Sequence, residues 1–245
     1  MNIVILAAGR GVRLGFENQN FPKSLVTIGP TPYLKLQLDS MSVFSATRTI
    51  LVGGFGIEHL ESFLSKHHFS NMRLLNNTQF LKGNLYSITT ARENINDSFF
   101  VFNADHFYSP EIYKKIFLMK ESRSVTVFCD QDRTLTHDDM KVFVKEGQFQ
   151  KMDKQLTDYQ WGYVGVSYVP KSLQTKYWEA CLKTEQNLGD KANVEAVMNQ
   201  LAADGETIKI CDISGSWWTE IDTPEDLEKA RAIIQRFYLT PTPLL

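Results

Sequence analysis

The sequence has few cysteines, little net charge and no apolar run of membrane-spanning length. Its 245 residues include 3 cysteines, which lie far apart and without metal-ligand spacing, so we expect buried free thiols in a reducing compartment. The net charge of −2 provides no basic face for a polyanion. The apolar run NIVILAA is too short to cross a bilayer and follows no basic segment. These absences predict a cytoplasmic protein that binds no nucleic acid and does not insert into a membrane.

The pattern of apolar residues indicates an α/β fold. Runs of strand length, such as NIVILAA, TRTILVGG and SFFVFNADHFY, alternate with segments of helical period. This alternation predicts a Rossmann-like, open, mostly parallel, twisted sheet with helices on both faces. After Asp130 the stretch MKVFVKEGQFQKMDK alternates like an exposed hairpin. We therefore expect a single domain, 1–245, with a core at about 1–130 plus 205–238 and a small inserted β-rich lobe at about 131–204.

The end of the first strand combines very small residues with positive charge. The small residues are Ala7, Ala8, Gly9 and Gly11, and the cations are Arg10, Arg13 and Lys23. Small side chains let backbone N–H groups approach an anion closely, and the cations add donors that suit phosphate oxygens. Ligands of open α/β sheets bind beyond the carboxyl ends of the strands. The loop therefore predicts a site for a nucleoside triphosphate.

Two common nucleotide motifs are absent. The Walker A pattern needs Gly-Lys-Ser/Thr on this loop, and that sequence is not there. The dinucleotide fingerprint needs a third glycine where Leu14 stands, and an acid where the second strand ends in LVGG. A nicotinamide dehydrogenase is therefore disfavoured.

The stretch LAAGRGVRL, followed by PKSLV, resembles a motif of nucleotidyltransferases that join a nucleoside triphosphate to a phosphorylated small molecule. A glycine-rich loop that only turns the chain is the alternative. The resemblance implies that an acceptor phosphate attacks the α-phosphorus and pyrophosphate leaves. It also implies catalytic roles for Arg13 and Lys23, and nucleotide contacts from Leu6 through Gly11 and from Ala104. Because both reactants are anionic, we expect Mg²⁺ as the cofactor.

Two carboxylates match acidic positions of that family. Asp105 lies in VFNADHFY, and Asp222 lies in WWTEIDTPEDL just before the last predicted helix. The resemblance implies that both hold the metal. The alternatives are a loop acid at Asp105 and a helix-capping acid at Asp222. His106, beside Asp105, is a candidate contact to the acceptor or a support for its neighbours.

The segment NNTQFLKGNLYSI resembles the base-binding region of enzymes that use CTP. Its candidate nucleotide contacts are Gln79, Gly83, Asn84 and Ser87. Two runs typical of sugar 1-phosphate enzymes, Pro-x-Gly-Thr-Ala and Glu-Lys-Pro, are missing. The resemblance is therefore to the subset that acts on phosphocholine, aminoethylphosphonate or inositol phosphate.

The acceptor side carries weaker signals. Lys141 in THDDMKVFV resembles a lysine that binds the acceptor phosphate or the bridging oxygens, which implies a third catalytic residue; a solvated edge-strand lysine is the alternative on sequence alone. The later lobe is rich in aromatic residues and acids, which together could hold an ammonium group, or could simply form a core. We select Trp161, Glu195 and Trp217 as acceptor contacts, which slightly favours an amine-bearing acceptor.

The sequence thus predicts a Mg²⁺-dependent cytidylyltransferase whose partners are CTP and a small phosphorylated acceptor. A sugar 1-phosphate enzyme using UTP, dTTP or GTP is the first alternative. A catalytically silent nucleotide-binding relative is the second. The tail YLTPTPLL cannot continue a helix through its prolines, and we regard it as a candidate contact of a homodimer.

Overall fold

A computed structural model describes residues 1–15, 20–69 and 71–239. Within these residues the strands are β1 (Asn2–Leu6), β2 (Thr27–Ile28), β3 (Thr31–Pro32), β4 (Arg48–Gly53), β5 (Met72–Asn76), β6 (Phe99–Asn103), β7 (His106–Tyr108), β8 (Val125–Asp130), β9 (Lys141–Lys145), β10 (Gln148–Asp153), β11 (Trp161–Val169), β12 (Ile208–Asp212) and β13 (Trp218–Glu220). The α-helices are α1 (Tyr33–Ser40), α2 (Ile57–Lys66), α3 (Leu85–Ala91), α4 (Pro110–Leu118), α5 (Gln174–Leu188), α6 (Val194–Ala203) and α7 (Pro224–Ile234).

One large sheet organises the molecule. Its strands run in the order β5-β4-β1-β6-β11-β8-β12, and the hairpin β9–β10 is attached to the start of β11. Neighbours pair in parallel except at β11 and within the hairpin. The predicted mostly parallel α/β fold is confirmed.

Helices cover both faces of this sheet. All five residues of β1 are buried, and they alternate between two cores. Ile3 and Ile5 face a core that includes residues of α1, α2, α4 and α7. Val4 and Leu6 face a second core that includes residues of α3, α5 and α6. Because side chains alternate along a strand, the apolar residues of this one buried strand supply both layers, as parallel sheets require.

The span expected to form the inserted lobe, 131–204, is joined to the core through the sheet itself. It contains β11, which pairs with β6 and β8 of the core. It also contains α6, which is fixed to β10 because Asn199 exchanges hydrogen bonds of 2.8 Å with both main-chain groups of Met152. The periodicity did not single out β8, whose six residues are all buried.

A short ribbon connects two distant parts of the sequence. The apolar run SFFVFNADHFY does not form one strand: β6 ends at Asn103, the chain turns, and β7 begins at His106. β13 pairs antiparallel with β7, with Glu220 opposite His106. The N–H of Ile221 then donates to the carbonyl of Asp105 at 2.9 Å. This pairing brings the segment before α7 against the turn after β6.

No helix in the described ranges is both long enough and apolar enough to cross a membrane. Residues 240–245, most of the tail that we consider a candidate dimer contact, lie outside the described residues.

Candidate active site

Lys23 lies between the two predicted metal-binding acids. Its ammonium nitrogen is 2.5 Å from Asp105 Oδ2 and 2.5 Å from Asp222 Oδ1. Lys23 begins a 3₁₀ turn after Pro22, Asp105 lies in the turn after β6, and Asp222 directly precedes α7. The structure therefore gathers three residues that are up to 199 positions apart in the sequence.

The glycine loop shapes the environment of Lys23. Gly11 has φ +61°, a left-handed conformation that L side chains rarely adopt, and a Cβ there would lie 2.9 Å from the Cβ of Lys23. Glycine is therefore required at this position for two reasons, backbone conformation and close packing. The aliphatic part of Lys23 is held against the loop, and its ammonium group is directed at the acids.

Arg13 supplies a second cation at the same place. It follows Gly11 in a 3₁₀ turn, forms an ion pair with Asp222 and hydrogen-bonds Asp138 Oδ2 at 2.9 Å. Its side chain is 48% exposed, so it is accessible to a ligand. The alternative role of Asp222 as a helix cap does not describe its contacts, because the capping box of α7 is formed by Thr223 and Asp226.

Burial and charge shift the pKa of several groups at this site. Burial disfavours the Lys23 ammonium, but the two carboxylates outweigh it and raise the pKa of Lys23 above its usual value. Burial likewise disfavours the Asp105 carboxylate, yet Lys23 and His106 lower the pKa of Asp105 far below its usual range. The pKa of His106 is raised by Glu220 and Asp105 against the effect of burial. Burial raises the pKa of Glu220.

The acids fit a divalent cation. Asp105 and Asp222 present one carboxylate oxygen each to a single cationic group, and hard oxygen donors of this kind suit Mg²⁺. A second arrangement brings ligand atoms of Asp105, His106 and Glu220 within 4.8 Å of one another. Because it includes an imidazole, this second set is better suited to a transition metal.

A cavity of about 160 Å³ opens beside Lys23. Its lining residues are Leu6, Ala7, Ala8, Gly9, Lys23, Ser24, Asn84, Ser87, Asn103, Ala104 and Asp105. Most of the predicted nucleotide contacts are in this set. Behind it, the Asn77 amide donates to Ser87 Oγ at 3.0 Å, and the Gln37 amide donates to the carbonyls of Asn103 and His106 at 2.9 Å. Gln37 therefore fixes the turn that carries Asp105.

Four other predicted nucleotide contacts do not line this cavity: Arg10, Gly11, Gln79 and Gly83. Gln79 is exposed. Gly83 has a structural reason to be glycine, because its N–H donates to the Asp190 carbonyl at 2.7 Å and a Cβ there would lie 1.8 Å from the Ala192 oxygen. The next residue, Asn84, accepts a 2.8 Å hydrogen bond from the N–H of Val194.

A second, wider cleft of about 500 Å³ is lined by Asp222 and does not include Lys23. Trp218 lines it, whereas the predicted contact Trp217 packs against Phe107 and Phe237 with ring centroids 6.0 and 6.2 Å away. Neighbouring residues of a strand point to opposite faces, so only one of the two tryptophans can reach the cleft. Arg133 also lines it and was missed from the sequence. The signal was available, because Arg133 follows β8 just as Asp105 follows β6.

The remaining predicted acceptor contacts do not line this cleft, although Lys141 binds three residues that do. The Lys141 ammonium donates to the carbonyls of Thr136 at 2.5 Å, Lys154 at 2.8 Å and Asp139 at 3.3 Å. Trp161 packs against the core that includes Val4. Glu195 lines a separate groove of about 620 Å³ beside β10. Of the predicted acceptor contacts, His106 is the one held directly against Asp105, through a 2.6 Å hydrogen bond from Nδ1.

Comparisons with known proteins identify relatives of this chain. The chain is 28% identical over 231 residues to a bifunctional IPC transferase and DIPP synthase of Aquifex aeolicus, covering 93% of this chain and 50% of that protein. It is 26% identical to a choline-phosphate cytidylyltransferase of Streptococcus pneumoniae, covering 96% and 99% of the two chains. The chain spans about half the length of the bifunctional relatives it matches.

The fold is also similar to that of the inositol-1-phosphate CTP transferase from T. maritima. The TM-score is 0.81 at 22% identity, and the match covers 96% of this chain and 95% of that one. The family model of the MobA-like NTP transferase domain matches residues 3–201. The resemblance predicted from the N-terminal motif is thus confirmed, and the chain belongs to the MobA-like NTP transferase domain family.

Proposed function

We propose that this protein transfers CMP from CTP to a small phosphorylated acceptor and releases pyrophosphate. The observation that carries the proposal is the position of Lys23, held 2.5 Å from both Asp105 and Asp222 and lining the cavity formed by the glycine loop. Two anionic reactants can meet only where positive charge and well-placed donors offset their repulsion. Membership of a family of NTP transferases supports this assignment.

The side chains suggest a division of labour. The loop at Ala7–Gly9 would place backbone N–H groups against the triphosphate, while Asn84 and Ser87 would face the nucleoside. Lys23 would meet the charge that develops on the transferring and leaving phosphates, and Arg13 would hold the triphosphate from the exposed side. Mg²⁺ held by Asp105 and Asp222 would supply charge neutralisation and orient the phosphate oxygens.

We propose that the acceptor enters through the wider cleft. That cleft combines residues of the later segment, such as Arg133 and Lys154, with residues beside α7, such as Trp218 and Glu220. It also includes Arg13 and Asp222, so an acceptor phosphate placed there would lie next to the proposed metal ligands. This arrangement favours the division into a nucleotide-binding core and an acceptor-binding lobe.

A pyrophosphate-release screen tests the proposal. CTP, UTP, dTTP, GTP and ATP would be paired, with Mg²⁺, against phosphocholine, inositol 1-phosphate, glycerol 3-phosphate and glucose 1-phosphate. We expect turnover with CTP and non-sugar acceptors, and its loss on adding a chelator. Turnover with hexose 1-phosphates alone would support a sugar nucleotidyltransferase. Nucleotide binding without turnover in any pair would support a silent relative.

A further inference from the structure

Trp218 and the acids near it have the composition of an ammonium-binding cage. An aromatic face with nearby carboxylates attracts a ligand cation. Trp218 lines the acceptor cleft, and its indole N–H donates to Asp130 Oδ2 at 2.8 Å. Asp139 also lines the cleft. On composition alone, this corner would accept a quaternary or primary ammonium.

The cage is already filled by a cation of the chain itself. The guanidinium carbon of Arg133 lies 4.1 Å from the centroid of Trp218. Its Nε donates to Asp130 Oδ2 at 2.9 Å, and its Nη1 donates to Asp139 Oδ1 at 3.0 Å. His106 stacks on the same indole, with ring centroids 5.4 Å apart and an interplanar angle of 8°. The aromatic surface and both carboxylates are therefore engaged within the protein.

The other carboxylates that line the cleft near Arg13 are paired in the same way. Asp138 lies 2.9 Å from Arg13 and 3.8 Å from Lys154, and Asp222 lies 2.5 Å from Lys23. A ligand ammonium bound at any of these carboxylates would have to displace one of these internal cations. A rigid, planar guanidinium held by stacking and two ion pairs is hard to displace, because it is preorganised for all three contacts.

Arg133 also retains an unused donor. Its Nη2 is buried and has no hydrogen-bond partner among the described residues. Nη2 faces Gly162 in the interior, but the Arg133 side chain as a whole is 30% exposed and lines the cleft, so the exposed part of the guanidinium can donate to a ligand oxygen. The corner is thus unfavourable for an added cation and favourable for a hydrogen-bond acceptor.

We propose that Arg133 is a specificity-determining residue, which closes the Trp218 cage to ammonium groups and selects a phosphorylated polyol whose hydroxyl oxygens meet the guanidinium. This proposal rests on the proposed function for the phosphate end of the acceptor. It goes against the slight preference for an amine-bearing acceptor that the aromatic composition suggested. Arg133 would exclude ammonium ligands by occupying the place that they would bind. Discrimination of this kind does not require tight contacts to the preferred ligand.

The test compares glycerol 3-phosphate, as the polyol probe, with phosphocholine, as the ammonium probe. In the wild-type protein we expect kcat/KM with CTP to favour glycerol 3-phosphate by at least about tenfold. Arg133→Gln should shift this ratio toward phosphocholine by about tenfold or more, since it uncovers the indole and frees Asp139. The KM for CTP should stay unchanged. Arg133→Lys, which keeps a cation in the cage, should shift the ratio less.

Two further variants control for misfolding of Arg133→Gln and for nonspecific effects of removing an arginine. Removing Arg133 leaves buried Asp130 without its ion pair, so Arg133→Gln/Asp130→Asn provides a second opened cage in case the single variant does not fold. Arg92→Gln is the matched control, because Arg92 lies over Trp178, 5.7 Å from its ring centroid, and neither residue lines the cleft. It should leave the acceptor ratio unchanged.

Calorimetric binding of the two probes, without nucleotide, separates this proposal from the proposed function. If the protein turns over no nucleotide, the proposed function fails. Binding of glycerol 3-phosphate and phosphocholine still tests whether Arg133 selects between them. Gain of phosphocholine binding by either opened variant supports the proposal. Wild-type protein that binds phosphocholine as tightly as glycerol 3-phosphate would overturn it, as would opened variants that gain none.

Discussion

The two sides of the candidate active site are built by different means. On the nucleotide side, the backbone turn and small residues of one short segment, residues 6–9, form one wall, and Lys23 stands beside it. On the acceptor side, side chains from β13, the segment after β8 and the start of α7 meet across long sequence distances. Local sequence therefore specifies one wall of the first side, whereas the second side depends throughout on how the sheet and the β7–β13 ribbon pair.

Charge is also arranged differently on the two sides. Lys23 forms ion pairs with both Asp105 and Asp222. If a bound cation replaced Lys23 at one of these acids, Lys23 would still be paired with the other. On the acceptor side, Asp130 and Asp139 hold Arg133 between them. A ligand should therefore rearrange ion pairs on the first side and leave them intact on the second. The predictions below test this contrast.

The largest effect is expected from Lys23→Ala. Loss of a donor to the developing phosphate charge should lower kcat by about 10²–10³-fold, with a smaller change in the KM for CTP. Steady-state pyrophosphate release measures both constants. Lys35→Ala is the control, because Lys35 pairs with Asp39 on the surface of α1 and should leave both constants near wild type. A Lys23→Ala enzyme with normal kcat would mean that this ammonium is only structural.

Asp222→Asn and Asp226→Asn separate catalysis from helix capping. Asp222 contacts Lys23 and Arg13, so its amide variant should reduce turnover by at least about 10²-fold and raise the Mg²⁺ concentration required. Asp226 completes the capping box with Thr223, so its variant should cost about 1 kcal/mol of stability and leave turnover intact. Thermal melts and rate measurements on both proteins reveal the contrast. Equal loss of activity in the two would remove the special role of Asp222.

The nucleotide side could be predicted from the sequence because glycine, alanine and the Pro-Lys pair act through local backbone geometry. The parallel sheet was predictable for a similar reason, since buried strands read as continuous apolar runs. The position of Asp222 beside Asp105 was anticipated only through a family resemblance. The physical cause is the antiparallel pairing of Glu220 with His106. Neither the sequence of β7 nor that of β13 predicts this pairing by itself.

The acceptor side could not be predicted because its contacts depend on strand phase and long-range pairing. A shift of one residue decides whether Trp217 or Trp218 faces the cleft. Arg133 is defined by its distance to Trp218, 85 positions along the sequence, and by the burial of Asp130. The sequence predicts that Lys141 binds the acceptor phosphate or the bridging oxygens, whereas in the structure its ammonium group donates hydrogen bonds to three main-chain carbonyls.

Two glycines predicted to contact the nucleotide should respond differently to alanine. Gly83→Ala places a Cβ 1.8 Å from the Ala192 oxygen, so we expect about 1–3 kcal/mol of destabilisation. At Gly9 a Cβ would meet nothing within 4 Å, so the fold should tolerate alanine while the KM for CTP rises, because backbone approach to phosphate is blocked. Thermal melts and CTP titrations separate the two outcomes. Normal CTP affinity in Gly9→Ala would place the triphosphate elsewhere.

The smallest effect concerns Glu195, which lies near Asn84 of the nucleotide cavity and lines the separate groove beside β10. Burial raises the pKa of Glu195 above its ordinary 4.5, against a hydrogen bond from Asn84. The folded state then holds this proton more tightly than the unfolded chain. Its contribution to stability is present below pH 4.5 and is lost as the pH rises through the raised pKa. Glu195→Gln should remove that loss, so its melting temperature relative to wild type should rise by on the order of 2 °C between acidic and neutral pH. A constant difference across this range, together with a higher KM for the acceptor, would instead favour the acceptor contact predicted from the sequence.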